Sequence, residues 1–292
     1  MKVAVVGLGL IGGSFEKASL KAGHEVVSCH HGDKSGFEGS DLVLVCLPPE
    51  SIVPWIRERQ DLFRAGTVVV DICGIKRKIC QEVNPIALAS RAGGAVNSRD
   101  PGGTSDSSGS IGARVPWYFV GGHPMAGREV SGYANSKEDL FVGASMIITP
   151  DESVPQSVIE MLKGYFASVG FHRTVITTPE KHDEMIAFTS QLCHVIATAY
   201  ARDPKVVEAI GYSAGSYANM TRVATQNADT WASLYLEDRE ALLRTLDSFI
   251  GRLGEFREAL AAADLPRMKA IIDEGTAAKS EELLARERGD ER

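Results

Sequence analysis

No run of apolar residues in this 292-residue chain is long enough to cross a bilayer; the longest, such as Leu42 to Pro49, fall far short of the ~20 needed. Basic runs are absent as well. With a formal net charge of -7, neither nucleic acid nor an anionic membrane is expected as the main partner. The five cysteines (Cys29, Cys46, Cys73, Cys80, Cys193) are an odd number without a C-x-x-C pair. They promise neither a disulfide framework nor a zinc site, no metal is expected, and reduced thiols in a cytoplasm fit best. Met1-Lys2 leads straight into an apolar stretch, so no signal or transit peptide is expected. What is present is an ordinary globular composition, 44 % hydrophobic and 24 % charged, at a length that suits two domains.

Lys2 to Val6 is a continuous β-branched run of the kind found in buried parallel strands. Gly7-Leu8-Gly9-Leu10-Ile11-Gly12-Gly13-Ser14 follows it, and then a helix-like segment from Phe15 to Ala22. Placed between a first strand and a first helix, this G-x-G-x-x-G reads as a dinucleotide fingerprint. Gly7 allows the tight turn, Gly9 lets a pyrophosphate approach the backbone, and Gly12 lets helix and strand pack. The helix N-terminus then offers its unpaired N–H groups to phosphate, and Leu10 and Ile11 join the glycines as cofactor-binding candidates. The second strand, Glu25 to Cys29, is followed by His30 and His31 where an acid normally holds the ribose of NAD. That favours NADP, while Asp33, within reach of the ribose, keeps NAD open. The third strand, Asp41 to Leu47, begins so soon after the second that the intervening helix is expected to be short or missing. Leu47 and Pro48 at its end join the cofactor-binding candidates, and Thr67 to Asp71 supplies a fourth strand.

Phe119-Val120-Gly121-Gly122-His123-Pro124-Met125-Ala126-Gly127 reads as a strand that ends by presenting an imidazole on a tight loop, where α/β proteins usually carry their chemistry. Histidine suits proton transfer near neutral pH, which makes His123 the catalytic candidate. Residues 92 to 113 are rich in Gly, Ser, Asp and Arg without apolar periodicity, an inserted loop that is either a lid or an idle excursion.

After Ile147-Ile148-Thr149-Pro150 the spacing becomes helical, and the domain boundary is placed there, giving 1–150 and 151–292. The expected fold is an α/β N-terminal Rossmann-type parallel sheet followed by an all-α C-terminal domain. Thr178-Pro179 starts a helix that carries Ser190, Gln191, His194 and Thr198 along one polar stripe. Asp229 is expected to cap a long helix running through Trp231, Leu242, Phe249 and Phe256. Asp238 falls in the middle of that helix's apolar face, where a carboxylate needs a cationic partner or a function. Arg222, beside Thr221 in an apolar setting, suits bidentate capture of a carboxylate.

These residues together resemble the prephenate/arogenate dehydrogenase family of tyrosine biosynthesis. The resemblance runs over nearly the whole length: the glycine fingerprint, Gly-Gly-His-Pro-Met-Ala-Gly, Leu140-Phe141-Val142-Gly143-Ala144, Ser190 to His194, and Thr221-Arg222. It implies His123 as proton acceptor, Arg222 as the partner of a substrate carboxylate, and His194 as a pocket residue. Three departures stand out. Gly74 occupies the place of a serine that orients the catalytic histidine, Gln191 that of a second histidine, and Tyr217-Ala218-Asn219 that of Phe-Arg-Asp. A stand-alone catalytic unit, without a mutase-like extension or a regulatory domain, is expected.

The reaction implied is oxidative decarboxylation of a small cyclohexadienol. Asp238, or its neighbour Glu237, is expected to pair with the ammonium of arogenate, making arogenate with NADP the preferred pair and a homodimer through the helical halves the assembly. Three alternatives stay open: prephenate with NAD, a reductase of the same build acting on a hydroxy acid or imine, and a non-catalytic NADP-sensing protein.

Overall fold

Unbroken runs of Val, Leu and Ala cannot hide one face only, so they need cover on both sides. In a computed structural model, which describes residues 1–30, 32–33, 35–92, 116–128 and 130–288, they receive it. Strands β1 (Lys2–Val6), β2 (Glu25–Cys29), β3 (Leu42–Val45), β4 (Val68–Asp71), β5 (Tyr118–Pro124), β6 (Ser145–Pro150) and β7 (Arg173–Ile176) form one seven-stranded sheet in the order β2-β1-β3-β4-β5-β6-β7. The first five are mutually parallel, β6 runs antiparallel to β5, and β7 is parallel to β6. Alternate residues point to opposite cores. Ala4, Val43 and Val69 meet α2 (Pro49–Arg59) and α3 (Arg77–Ala92) through Ile52, Trp55, Ile79 and Val83. Val3, Leu44 and Val70 meet α1 (Leu10–Lys21) and α4 (Gln156–Ser168) through Phe15, Leu162 and Phe166.

Among the described residues, no helix joins β2 to β3. Phe37, 1 % exposed, takes its place in the core, its ring 5.2 Å from Trp55 and 5.8 Å from Phe63. The expected inserted loop, from residue 93 on, lies outside the described residues.

Two expectations need correction. The sheet domain does not end at 150. The helical spacing that begins beyond it belongs first to α4, a crossover helix that delivers β7 into the sheet, so the sheet's last residue is Ile176. Periodicity alone cannot tell a crossover helix from the first helix of a bundle. Beyond it come α5 (Pro179–Ile186), a π-helical turn (Ala187–Gln191), α6 (Leu192–Ala201), α7 (Gly215–Thr221), α8 (Ala228–Glu237), α9 (Arg239–Ala261) and α10 (Leu265–Glu287). Thr178 caps α5 as expected, accepting from the Lys181 N–H. The long helix expected from Asp229 is two helices. Asn227 is the cap, accepting from the Thr230 N–H at 2.9 Å, and the chain breaks at Asp238, whose φ of -106° and ψ of 21° are not helical. Asp229 sits one residue inside, where an acid complements the helix dipole without capping.

Candidate active site

The parallel strands β1 to β5 all end at one edge, and their five following loops collect there. After β1, Gly7 takes a φ of +91°, and a Cβ on it would lie 2.4 Å from the Cys46 carbonyl and 2.9 Å from Leu47 Cδ2. A Cβ on Gly12 would lie 1.9 Å from the Gly7 carbonyl, so only glycine lets α1 close on the turn. Gly9 differs. Its Cβ would meet nothing within 4 Å, so the fold itself leaves the space above it open. Gly9 is also the N-cap of α1, with no capping side chain and no acid in the first turn. The N–H groups of Leu10, Ile11 and Gly12 therefore have no acceptor within the helix. A bare glycine beside uncapped donors is a cradle that fits the pyrophosphate of a dinucleotide. Leu47 is buried against Gly7, while Pro48 is exposed and leads into α2. His30 is exposed at the end of β2. The Asp33 carboxylate turns back to accept from the His30 N–H at 2.7 Å, and His31 lies outside the described residues.

His123 stands on β5, opposite Ile147 of β6. The two glycines before it make room for its surroundings: a Cβ on Gly121 would lie 2.3 Å from Thr149 Oγ1 and 2.9 Å from Lys76 Cδ. Lys76, fully buried, forms an ion pair with the equally buried Asp71 at the end of β4. Burial works against its charge, but the Asp71 carboxylate beside it outweighs that, so Lys76 stays a cation. On its other side His123 Nδ1 lies 2.9 Å from His182 Nε2, and His182 Nδ1 lies 2.7 Å from Asp183 Oδ1. Asp183 accepts in turn from the backbone N–H groups of Lys76 at 2.8 Å and Arg77 at 2.9 Å, where α3 begins. Burial, then His182 and Lys76, hold the His123 pKa well below the usual histidine value, leaving a neutral imidazole ready to accept a proton.

His123 opens into a cleft of about 800 Å³ between the β5 loop and the helical half. Gly74, Gln191, His194, Trp231 and Arg128 are among the residues that line it, and Arg128 is its cationic side chain among the described residues. The His194 ring lies over Trp231 at 3.7 Å between centroids, and its Nδ1 is 3.1 Å from the Val223 carbonyl. Gln191 is 2 % exposed and donates from Nε2 to Asp238 at 3.0 Å, while its Oε1 is buried without a hydrogen-bond partner. Asp238 is thus buried, as expected, but it stands behind Gln191 rather than in the cleft lining. Burial, then the Asp183 charge, push its pKa up to about 7. Thr221 and Arg222 lie where α7 ends, outside the lining of this cleft, and the Arg222 side chain is exposed. The structure therefore brings together His123, Gln191 and His194, places Asp238 one residue behind them, and leaves Thr221, Arg222 and His30 apart.

Asp71, Lys76, His182 and Asp183 were not singled out from the sequence. A signal was present, since Lys76 closes an otherwise apolar loop and His182-Asp183 sits in the first turns of a capped helix. The pairing itself joins residues about a hundred positions apart.

Two family models match: the nucleotide-binding domain of prephenate dehydrogenase over residues 110–184 and the dimerization domain of prephenate dehydrogenase over residues 178–274. The cyclohexadienyl dehydrogenase of Zymomonas mobilis subsp. mobilis is 29 % identical over 90 % of this chain and 89 % of its own length. The prephenate dehydrogenase of Bacillus subtilis is 25 % identical over 90 % of this chain and 71 % of its own. In fold, the chain is similar to the arogenate dehydrogenase of Synechocystis, with a TM-score of 0.76 at 20 % identity over 96 % of this chain and 99 % of that one. It is similar as well to the prephenate dehydrogenase of A. aeolicus solved with hydroxyphenyl propionate and NAD+, with a TM-score of 0.75 at 21 % identity over 96 % and 98 %.

Because nothing in the fold fills the space above Gly9, Gly9→Ala is expected to melt close to wild type. It should bind a dinucleotide roughly tenfold or more weakly, read by fluorescence titration. The raised pKa of Asp238 means that the folded chain holds this proton more tightly than the unfolded one. Stability is therefore lost as pH rises from about 4 to about 7. Asp238→Asn should melt near wild type at about pH 4.5 and be more stable at about pH 8, by on the order of 1–3 kcal/mol. Equal melting temperatures at both pH values would show that this carboxyl titrates normally.

Proposed function

The chain belongs to the prephenate dehydrogenase family, and on that premise we propose that it oxidatively decarboxylates arogenate to tyrosine, with NADP as hydride acceptor and His123 as proton acceptor. The observation that carries the reading is a neutral, half-buried imidazole at the end of β5, opening into a cleft beside the sheet edge that bears the glycine cradle.

The cofactor supplies, when bound, the two-electron acceptor for the substrate's ring carbon. The chain does the rest. Leu10, Ile11 and Gly12 offer their N–H groups to the pyrophosphate, and bare Gly9 lets it approach. His123 takes the proton of the ring hydroxyl as hydride leaves the same carbon, and loss of the ring carboxylate as carbon dioxide then gives an aromatic ring. Positioned base catalysis of this kind contributes typically ~10²–10⁴-fold.

Gln191 supports arogenate over prephenate. Asp238 holds its amide N–H, so the partnerless Oε1 is left as an acceptor beside the cleft. An ammonium has hydrogens to donate to that oxygen and is favoured by the carboxyl behind it, whereas a keto group offers only a second acceptor. A buried acceptor left unpaired costs about 1–3 kcal/mol, enough to discriminate between the two. NADP rests on the absence of an acid directly after β2 and on the Asp33 carboxylate being engaged by its own loop. Arg222 is carried forward as a carboxylate-binding residue on the resemblance alone. A homodimer completes the proposal. The chain carries the family's dimerization domain, α10 has no buried residue, and Leu243, Ile250, Leu253, Leu260 and Ile272 are exposed along α9 and α10. Apolar surface of that extent is what a second copy covers.

His123→Asn should lower kcat by roughly a hundredfold or more with dinucleotide binding intact; a variant with near-normal kcat removes His123 from the chemistry. Steady-state assays of arogenate and prephenate, each with NAD and NADP, test the substrate. The highest kcat/KM is expected for arogenate with NADP, and Asp238→Asn should raise prephenate turnover while weakening arogenate. A wild-type preference for prephenate overturns the assignment.

A further inference from the structure

We propose that His182 and Asp183 set the tautomer of His123, placing its proton on Nδ1 and its lone pair on Nε2, and share the positive charge the ring gains when it accepts a proton. The inference deepens the role assigned above to His123 and rests on it. The argument starts at the backbone. The Asp183 oxygens already accept from the Lys76 and Arg77 N–H groups, so what Asp183 presents to His182 is an acceptor. The 2.7 Å contact to His182 Nδ1 is then an Nδ1–H donating to Asp183 Oδ1.

His182 is 1 % exposed, and burial lowers its pKa, with Asp183 opposing and Lys76 adding to the shift. A neutral ring protonated on Nδ1 has its lone pair on Nε2. Across 2.9 Å that lone pair accepts from His123, whose proton must therefore sit on Nδ1. The working nitrogen of His123 is then Nε2. It is the side of the ring nearest Gly74, where an added Cβ would lie 3.7 Å from Cε1 and 3.8 Å from Nε2. Gly74 has no side chain to hold the ring, so orientation falls to His182.

The charged groups around the pair act in one sense at rest and another in the reaction. Burial first, with the Lys76 cation adding to it, disfavours a charge on either ring and keeps both neutral at rest. When the substrate O–H bond breaks and its proton arrives on Nε2, the Nδ1–H bond to His182 becomes charge-assisted, with Asp183 behind it. The Arg77 cation flanks Asp183 on one side, and on another stands the Asp238 carboxyl, whose ionisation burial and the Asp183 charge disfavour. His182 and Asp183 are positioning residues: neither lines the cleft, and both act through His123.

Nitrogen-15 spectra of histidine-labelled protein, assigned by single substitutions, read the tautomers without turnover. Both His123 and His182 are expected as Nδ1–H forms near neutral pH, although free histidine favours Nε2–H. An Nε2–H form of His123 overturns the proposal. In kinetics, His182→Leu should lower kcat at least tenfold with KM and dinucleotide affinity within about twofold. His182→Gln keeps an acceptor at the same reach and should recover most of the lost rate. If His182→Leu does not fold, the spectra and His182→Gln still decide. Unchanged kcat in His182→Leu would overturn the charge sharing. A wild-type protein inactive on arogenate and prephenate would sink the functional reading, while the spectra still establish or refute the tautomer.

Discussion

The carboxylate of Asp183 is the contact through which the two halves of the chain are registered. It belongs to α5, the first helix of the helical half, yet it accepts from the first N–H groups of α3, a helix of the sheet half. Hydrogen bonds from backbone N–H groups to a carboxylate are charge-assisted, worth roughly 1.5–3 kcal/mol each when well made. Their direction matters more than their size. They fix where α5 sits over the sheet edge, and with it where His182 meets His123, so the reach of the imidazole depends on the packing of two domains.

Beneath this contact lies the Asp71–Lys76 pair. A fully buried ion pair contributes little net stability, since desolvating both charges offsets their attraction. Its consequence is local. Burial holds the neighbouring imidazoles neutral and a fixed cation adds to it, while Gly121 before His123 is what leaves the lysine room beside β5. The strand sequence, the buried pair and the state of the base are therefore one arrangement.

The substrate side of the cleft is shaped by an irregularity. Between α5 and α6 the chain winds through a π-helical turn, which changes the phase of the residues after it. Gln191 ends that turn, buried, with its amide held by Asp238 at the break between α8 and α9. Two departures from regular helix thus meet at one hydrogen bond, and that bond decides which end of the amide faces a ligand.

The first half of the fold was legible residue by residue. A β-branched run, G-x-G-x-x-G and a helix admit one arrangement, because only glycine permits the φ of Gly7 and the closeness of Gly12. The strand ending in His123 and the Thr178 cap were equally plain, since strand runs and caps are local chemistry. Tertiary packing decided the rest. It carried the sheet to Ile176, because α4's pattern gives no hint of what it packs on. It broke the helix at Asp238, whose buried carboxyl meets Gln191 from across the cleft wall rather than a residue of its own helix. It also gave His123 its partner, because a hydrogen bond between residues 123 and 182 has no period or spacing to betray it. Composition and local backbone chemistry specify elements one at a time; the state of a proton depends on every charge within a few ångströms, and folding alone brings those together.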